Sequence, residues 1–339
     1  MDLATKVGVS ARFLPGVALL LVISLLATKL SELVVIGGKH PLEPTALAVV
    51  LGLALRAGCK SLPERYTPGM RMWEKFLIWG VVLIGASLNF TLFLSEGVEL
   101  LILILITMAV SFTVIYALGR AFRLPETLAL LLTVGTTICG GSAIAITAPL
   151  IRAREDETSY AIGTITLWGL LAILCYPKFA QLLQVTDMSF GIFAGTAIHS
   201  TPQVVGAGFV FSDQAGNVAT AVKLIRNCFM APLALLIAFY YRKNNFAGEG
   251  QVRIAKAFPW FLFGFFLMAG ASTAGLLPLS WVERSTTLGK WFILMSMAGI
   301  GLATDFRSFR SIGTRPLVVG LIGSIVVALV SILMIRLLF

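Results

Sequence analysis

Two short stretches of the sequence place glycines and hydroxyl side chains inside long apolar segments. The first reads Gly-Thr-Thr-Ile-Cys-Gly-Gly-Ser at 135–142, and the second reads Gly-Thr-Ala-Ile-His-Ser-Thr-Pro at 195–202. Pro202 lacks a backbone N–H and restricts the residue before it. Amides freed from a helix within a bilayer need protein, a ligand or a hydrated cavity as partner. Interrupted apolar segments of this kind are typical of the binding site of a transporter.

Residues around both stretches form the candidate substrate site. Glycine lets the backbone approach a ligand closely, and a half-helix beginning near Ser142 would direct free N–H groups and a positive dipole end towards an anion. A histidine at membrane depth is expected to orient a substrate or carry a proton. Two alternatives stay open: tight helix packing by the glycines, and a His199 satisfied by a neighbouring carbonyl at the mouth of the span. The candidates are Thr136, Thr137, Cys139, Gly140, Gly141, Ser142, His199, Ser200, Thr201 and Gln203.

Three further candidates, Lys223, Arg226 and Asn227, share one helix face within an apolar segment because their spacing is i, i+3 and i+4. A charge near the centre of a bilayer costs about 2.5–3.5 kcal/mol on insertion scales. No acidic residue lies one turn away, which favours a cavity that accepts an anion. The alternative is snorkelling, which is easier for Lys223, about 8 Å inside the segment, than for the deeper Arg226.

The composition indicates an all-α polytopic membrane protein. Apolar residues make up 58% of the 339 residues and charged residues only 12%, whereas soluble domains have roughly 25% charged residues. The net charge of +10 is explained by basic cytoplasmic loops, so we predict no nucleic-acid partner. Four cysteines without a CxxC pair and only two histidines predict no metal and no cofactor.

Spans of about 20 apolar residues predict ten to eleven membrane crossings in a single transporter domain, 1–339. The segments lie at 13–36, 43–57, 72–88, 98–118, 128–151, 159–183, 188–210, 218–241, 258–277, 288–304 and 316–338. The predicted cytoplasmic loops carry more than twice as many basic residues as the loops on the other side, which places the N-terminus in the cytoplasm. Arg152 and Arg154 fall on the less basic side.

A short pattern that occurs twice in the sequence predicts inverted repeats. Residues 80–90 and 297–306 share the pattern Gly-x-x-(Leu/Thr)-(Asn/Asp)-Phe and run in opposite directions, as inverted repeats require. The interrupted segments near 128–151 and 188–210, however, run in the same direction if each crosses the membrane. Either their likeness is convergent, or the second is not a simple crossing.

Three motifs around the candidate residues are specific in combination. They are Ile-Cys-Gly-Gly-Ser-Ala-Ile-Ala at 138–145 followed by Ala-Pro at 148–149, His-x-x-x-Gln-Val-Val-Gly-Ala-Gly at 199–208, and Lys-x-x-Arg at 223–226 followed by Ala-Pro at 231–232. With them, essentially the whole chain resembles the YeiH-type sulfate exporter family of bacterial inner-membrane proteins. That family is placed with the cation/proton antiporters and anion transporters, which implies crossed, interrupted helices related by inverted repeats. Relatives commonly carry Glu directly after the histidine, where this chain has Ser200. If that glutamate couples protons, this chain differs in substrate or coupling.

These observations predict a secondary transporter that moves a small anion, such as sulfate or a related sulfur oxyanion, across the bacterial cytoplasmic membrane by alternating access. A passive anion channel and an ion-coupled transporter of another small solute are the alternatives. The sequence has no HExxH, no GxSxG and no carboxylate pair near the candidate site, so we predict that the protein is not an enzyme. The expected partners are the anion and the lipid bilayer, with a coupling proton or Na⁺ and a homodimer left open.

Overall fold

A computed structural model of the chain describes residues 3–33, 43–59, 63–88, 97–243, 260–304 and 313–339. Throughout these ranges the regular structure is helical. The polar connection at 242–256 lies almost wholly outside the described residues. The last two residues of each copy of the recurring pattern, Asn89-Phe90 and Asp305-Phe306, also lie outside the described residues.

Fifteen α-helices occur in the described ranges. They are α1 (Leu3–Leu33), α2 (Pro44–Gly58), α3 (Thr67–Met70), α4 (Trp73–Ile84), α5 (Gly97–Ala121), α6 (Glu126–Thr137), α7 (Gly141–Leu150), α8 (Glu155–Leu182), α9 (Asp187–Ala197), α10 (Thr201–Phe211), α11 (Asp213–Cys228), α12 (Met230–Lys243), α13 (Phe261–Thr273), α14 (Leu279–Ala303) and α15 (Thr314–Leu338). Each of the eleven predicted segments corresponds to one helix or to a pair of consecutive helices. Six helical segments of the described chain are long and apolar enough to span a membrane, which agrees with a polytopic membrane protein.

The helices group into two compact units, Met1–Phe90 with Phe263–Phe306, and Thr91–Leu262 with Arg307–Phe339. The single transporter domain stays a prediction. In the first unit, α14 packs on α2 and α4 through small residues. A Cβ atom on Gly301 would lie 2.9 Å from the Cα of Gly52, and one on Gly80 would lie 2.9 Å from the Gly289 carbonyl oxygen. Such glycine contacts let membrane helices approach closely.

The first interrupted segment, in the second unit, is a helical hairpin. We call α6 and α7 hairpin A. The Thr127 hydroxyl, at the start of α6, donates to Glu157 Oε2 at 2.8 Å, and the backbone N–H of Arg154 donates to the same oxygen at 3.1 Å. Two collinear helices of this length would separate those ends by roughly 35 Å. The chain therefore turns back at the break, and α7 returns to the end of the unit where α6 begins.

The second interrupted segment folds in the same way. We call α9 and α10 hairpin B. Thr186 caps α9 by accepting from the Ser189 N–H at 3.2 Å, and Ser212 caps α11 by accepting from the Ala215 N–H at 3.0 Å. The Ser212 hydroxyl also donates to Asp187 Oδ1 at 2.6 Å. This bond joins the first residue of α9 to the residue that follows α10, so both ends of hairpin B lie together.

The two hairpins enter the second unit from opposite ends, which the helix pair α11–α12 shows directly. Asp213–Tyr241 is one candidate membrane span of 29 residues. Its first residue follows Ser212 at the base of hairpin B. At its other end, the Tyr241 hydroxyl donates to Glu126 Oε1 at the base of hairpin A, at 3.1 Å.

The segments 128–151 and 188–210, which the sequence predicted as membrane crossings, are therefore helical hairpins whose two ends lie together. Because both ends of hairpin A lie together, the loop of Arg152 and Arg154 lies at the same end of the unit as Arg123. Because the two hairpins enter the unit from opposite ends, the two glycine-containing segments run in opposite directions. Inverted repeats require this, so the segments no longer conflict with that prediction.

Candidate functional site

The tips of the two hairpins meet in the middle of the second unit. Hairpin A breaks between Thr137 and Gly141, and hairpin B between Ala197 and Thr201. Gly140 has φ +71°, and a Cβ atom there would lie 3.0 Å from Ser200 Cβ. Only glycine adopts this backbone conformation readily. The break in hairpin A and its close approach to hairpin B thus both depend on Gly140.

Some glycines of the hairpins pack tightly against side chains, whereas Gly141 leaves its backbone next to open space. Gly191 and Gly195 face Val218 and Val222, where added Cβ atoms would lie 2.6 Å from each valine Cβ. These two glycines pack α9 against α11, as the packing alternative requires. Gly141 differs, because nothing lies within 4 Å of a Cβ built there. Its backbone borders open space at the first turn of α7.

Arg226 is buried and ties the two tips together. Its side chain on α11 is 2% exposed. Nε donates to the Thr137 carbonyl at 2.7 Å, Nη2 to the Thr136 carbonyl at 2.6 Å, and Nη1 to the Thr196 and Ile198 carbonyls at 2.7 and 3.2 Å. The guanidinium therefore binds the last carbonyls of both α6 and α9, and most of its donors are already engaged.

Lys223 bonds to the same two breaks one turn earlier. Its side chain is 0% exposed, so the snorkelling alternative is wrong. Nζ donates to the Ile138 carbonyl at 2.7 Å, to the Ile198 carbonyl at 3.0 Å and to the His199 carbonyl. These three acceptors match the three donors of an ammonium group.

The two basic side chains cover the negative helix ends at the tips, so that the positive helix ends dominate there. The C-terminal carbonyls of α6 and α9 are negative helix ends, and Lys223 and Arg226 cover them. The N-terminal ends of α7 and α10 are positive, and the N-cap residue of α7 is Gly140, which has no side chain to cap the helix. Carboxylates of the described helices in this unit lie in first turns, away from the tips. They are Glu99, Glu126, Glu155, Asp156, Glu157, Asp187 and Asp213.

Hairpin B is held by its own polar side chains. Gln203 Oε1 accepts from the Ser200 N–H at 3.3 Å, and Gln203 Nε2 donates to the Thr166 carbonyl on α8 at 3.2 Å. Asn227 Nδ2 donates to Thr201 Oγ1 at 3.0 Å. Because these groups are bonded within the protein, Gln203 and Asn227 position the tip.

His199 has one bonded and one unbonded ring nitrogen. Nε2 lies 2.7 Å from Ser324 Oγ, and the Ser324 hydroxyl donates to the Gly320 carbonyl at 2.7 Å. If the serine hydroxyl donates to Gly320, it accepts from a protonated Nε2 of His199. Nδ1 is buried and has no hydrogen-bond partner among the described residues. Thr137 Oγ1 and Asn227 Oδ1 share that property.

Burial divides the predicted residues into two groups. Ser142 is exposed, and Gly141, Ser200 and Thr201 are half-buried. The buried group consists of Thr136, Thr137, Cys139, Gly140, His199, Gln203, Lys223, Arg226 and Asn227. The Cys139 thiol faces Met230 Sδ at 3.3 Å, inside the apolar core. The structure thus brings the predicted residues together around the tips, with a polar surface over a cationic interior.

The sequence interpretation missed the contribution of α15. Ser324 bonds to His199, and Ser331 Oγ lies 2.6 Å from Thr196 Oγ1. These serines are seven residues apart, which places them on one helix face. Two hydroxyls on one face of an otherwise apolar helix are the signal that could have identified them.

Comparisons with known proteins identify a family of membrane proteins. Residues 15–320 match the family model described as conserved hypothetical protein 698. A UPF0324 membrane protein of Oceanobacillus iheyensis is 31% identical over 317 residues, which cover 93% of this chain and 92% of that protein. One of Bartonella henselae is 31% identical over 96% of this chain and 93% of its own length. One of Clostridium tetani is 34% identical over 77% and 79%. The chain therefore belongs to the UPF0324 family of membrane proteins, the same family as the YeiH-type proteins that its motifs resemble.

Proposed function

We propose that this protein is a secondary transporter of a small anion in the bacterial cytoplasmic membrane, with its N-terminus in the cytoplasm. The proposal rests on a difference between the C-terminal and the N-terminal helix ends at the tips. Lys223 and Arg226 cover the negative ends of α6 and α9, whereas the N-cap residue of α7, Gly140, has no side chain to bond the N–H groups of Gly141 and Ser142. Free N–H groups at a helix start bind anions.

The anion would contact the polar surface of the tips. Gly141 and Ser142 offer backbone N–H groups at the start of α7, and Ser200 and Thr201 offer hydroxyls beside them. Lys223 and Arg226 lie behind this surface and would act on the substrate through their charge. Two basic side chains without a carboxylate at the tips favour a doubly charged oxyanion, so sulfate and related sulfur oxyanions are the first substrates to test.

Depth and direction of the hairpins support transport over simple surface binding. The half-helices α6 and α9 are 12 and 11 residues long, or about 16–18 Å. The apolar core of a bilayer is about 30 Å thick. Hairpins entering from opposite sides would therefore meet near its centre, where a transporter site is expected.

The test is uptake by proteoliposomes that contain the full chain. Labelled sulfate, sulfite and small sulfonates are offered with and without a pH gradient, and empty liposomes are the control. We expect saturable uptake of at least one oxyanion and none of neutral solutes of similar size. Uptake that does not differ from empty liposomes for every anion would overturn the proposal.

A passive anion channel is the second candidate, because it needs the same positive field at the tips. Preloading the liposomes with unlabelled substrate separates the two mechanisms. A transporter exchanges internal for external anion and accumulates label against its gradient, whereas a channel only equilibrates it. The same experiment with a Na⁺ gradient in place of the pH gradient tests the coupling ion.

A further inference from the structure

A cavity of about 400 Å³ lies at the base of hairpin A, away from the tips. Three helices begin around it: α6 after Pro125, α8 after Arg154 and α15 after Gly313. The lining includes Arg123, Arg154, Glu157, Tyr160, Thr314 and Arg315. Carboxylates in the first turns of α6 and α8 offset the positive ends of those two helices, whereas the first turn of α15 has no acidic residue. The cavity therefore combines arginine side chains with the positive end of α15.

The charges of the lining are not balanced. Arg123 and Arg315 are exposed, and within the described part of the chain neither forms an ion pair. Arg154 pairs with Asp156, with Nε and Nη2 donating to its two carboxylate oxygens. The one lining carboxylate, Glu157, is buried and already accepts from the Thr127 hydroxyl and the Arg154 N–H. Two guanidinium groups thus remain available to a ligand.

The start of α15 adds backbone donors to the same cavity. No side chain caps this helix at Gly313, so the Thr314 and Arg315 N–H groups have no acceptor within the helix. Thr314 and Tyr160, which carry hydroxyl groups, also line the cavity. Guanidinium forks, hydroxyls and helix-start N–H groups together are the donor set that recognises a phosphate group.

We propose that this cavity is a second anion site, which binds a phosphate group at the membrane surface. The phosphate could belong to the headgroup of an anionic phospholipid or to inorganic phosphate in solution. Binding would join the starts of α8 and α15 to the base of hairpin A, and so fix the end of the hairpin whose tip forms the candidate transport site. The position suits a lipid headgroup because membrane helices begin at the level of the headgroups.

Ligand binding to the purified full chain tests this site without any transport measurement. Native mass spectrometry measures retained phosphatidylglycerol against phosphatidylcholine, and equilibrium dialysis measures labelled inorganic phosphate. The test variant is Arg123→Gln with Arg315→Gln, and both single variants are measured beside it in case the double variant does not fold. The matched control is Arg152→Gln. Arg152 is exposed and has a left-handed backbone (φ 52°) like Arg123 (φ 57°), but it does not line the cavity.

We expect binding of the phosphate-bearing ligand to weaken about tenfold or more in the double variant, while Arg152→Gln retains wild-type binding. Loss of phosphatidylglycerol alone identifies a lipid site, and loss of inorganic phosphate alone identifies a site for a soluble anion. Wild-type binding of both ligands by the double variant would overturn the proposal. Equal losses in the double variant and in Arg152→Gln would do the same, since they would indicate a general effect of surface charge.

Discussion

Ser212 and Asp187, which are 25 residues apart in sequence, are joined by a hydrogen bond of 2.6 Å across the base of hairpin B. This bond shows that the interrupted segment 188–210 is not one continuous crossing. A helix that paused at 198–200 and then continued would place the two residues at opposite faces of the membrane. With both at one base, the chain turns back at the break and returns to the end where it began.

The hairpins predict which loops share a side of the membrane. Gln184 and Gln214 flank hairpin B, and Arg123 and Arg152 flank hairpin A, and all four are exposed. In a background without cysteine, we expect single cysteines at Gln184 and Gln214 to react with an impermeant maleimide from one side. Cysteines at Arg123 and Arg152 should react only from the other side. Labelling of Gln184→Cys and Gln214→Cys from opposite sides would show that 188–210 crosses the membrane.

The helical segments and the positions of both breaks could be predicted from the sequence, because apolar runs and adjacent glycines are local signals. The reversal of each hairpin could not. It depends on bonds between distant residues, such as Thr127 with Glu157, and on the packing of the two half-helices against each other. Hydropathy reports the apolar length of a segment and carries no information on whether the chain continues or turns back at a break.

Removal of Arg226 is expected to destabilise the protein. The Arg226→Met variant leaves the Thr136, Thr137 and Thr196 carbonyls buried without their charged donor. Hydrogen bonds to charged groups contribute about 1.5–3 kcal/mol each, so we expect a loss of at least about 3 kcal/mol and a clear fall in the unfolding temperature in detergent. Arg284→Gln, which removes an exposed charge, is the control. Wild-type unfolding of Arg226→Met would mean that the carbonyl bonds do not stabilise the tips.

The role of the two basic residues illustrates what sequence reasoning could and could not provide for the site. The spacing of Lys223 and Arg226 inside an apolar segment predicted two cations on one helix face and a cavity that accepts an anion. Their bonding partners are main-chain carbonyls, which every residue carries, so no side-chain pattern could identify them. The effect of their charge on a bound anion stays a prediction.

The adjacent glycines at the tip of hairpin A should respond differently to alanine. Gly140→Ala places a side chain at φ +71° and 3.0 Å from Ser200 Cβ, so we expect destabilisation by about 1–2 kcal/mol or more. Gly141→Ala fits open space at the start of a helix and should leave the unfolding temperature unchanged or slightly raised. Its methyl group would however cover the N–H groups proposed to bind the anion, and uptake should fall.

Thermal unfolding and proteoliposome uptake, measured on the same preparations, check both expectations. Gly141→Ala is the informative variant because its folding is not at risk. Wild-type uptake by Gly141→Ala would place the anion elsewhere, whereas wild-type stability of Gly140→Ala would show that the break does not need glycine.

His199 can be tested as a proton carrier separately from its hydrogen bond. His199→Gln keeps a donor that can reach Ser324 Oγ but removes the imidazole, whereas Ser324→Ala keeps the imidazole and removes the bond. If Nδ1, the buried acceptor without a partner in the described structure, takes up the coupling proton, His199→Gln should lose the response of uptake to a pH gradient and retain exchange of internal for external anion. Ser324→Ala should keep the pH response at a lower rate, because the ring is less well oriented. A pH response that survives in His199→Gln would mean that another group carries the coupling proton. Loss of exchange in both variants would mean that His199 stabilises the structure of the tip.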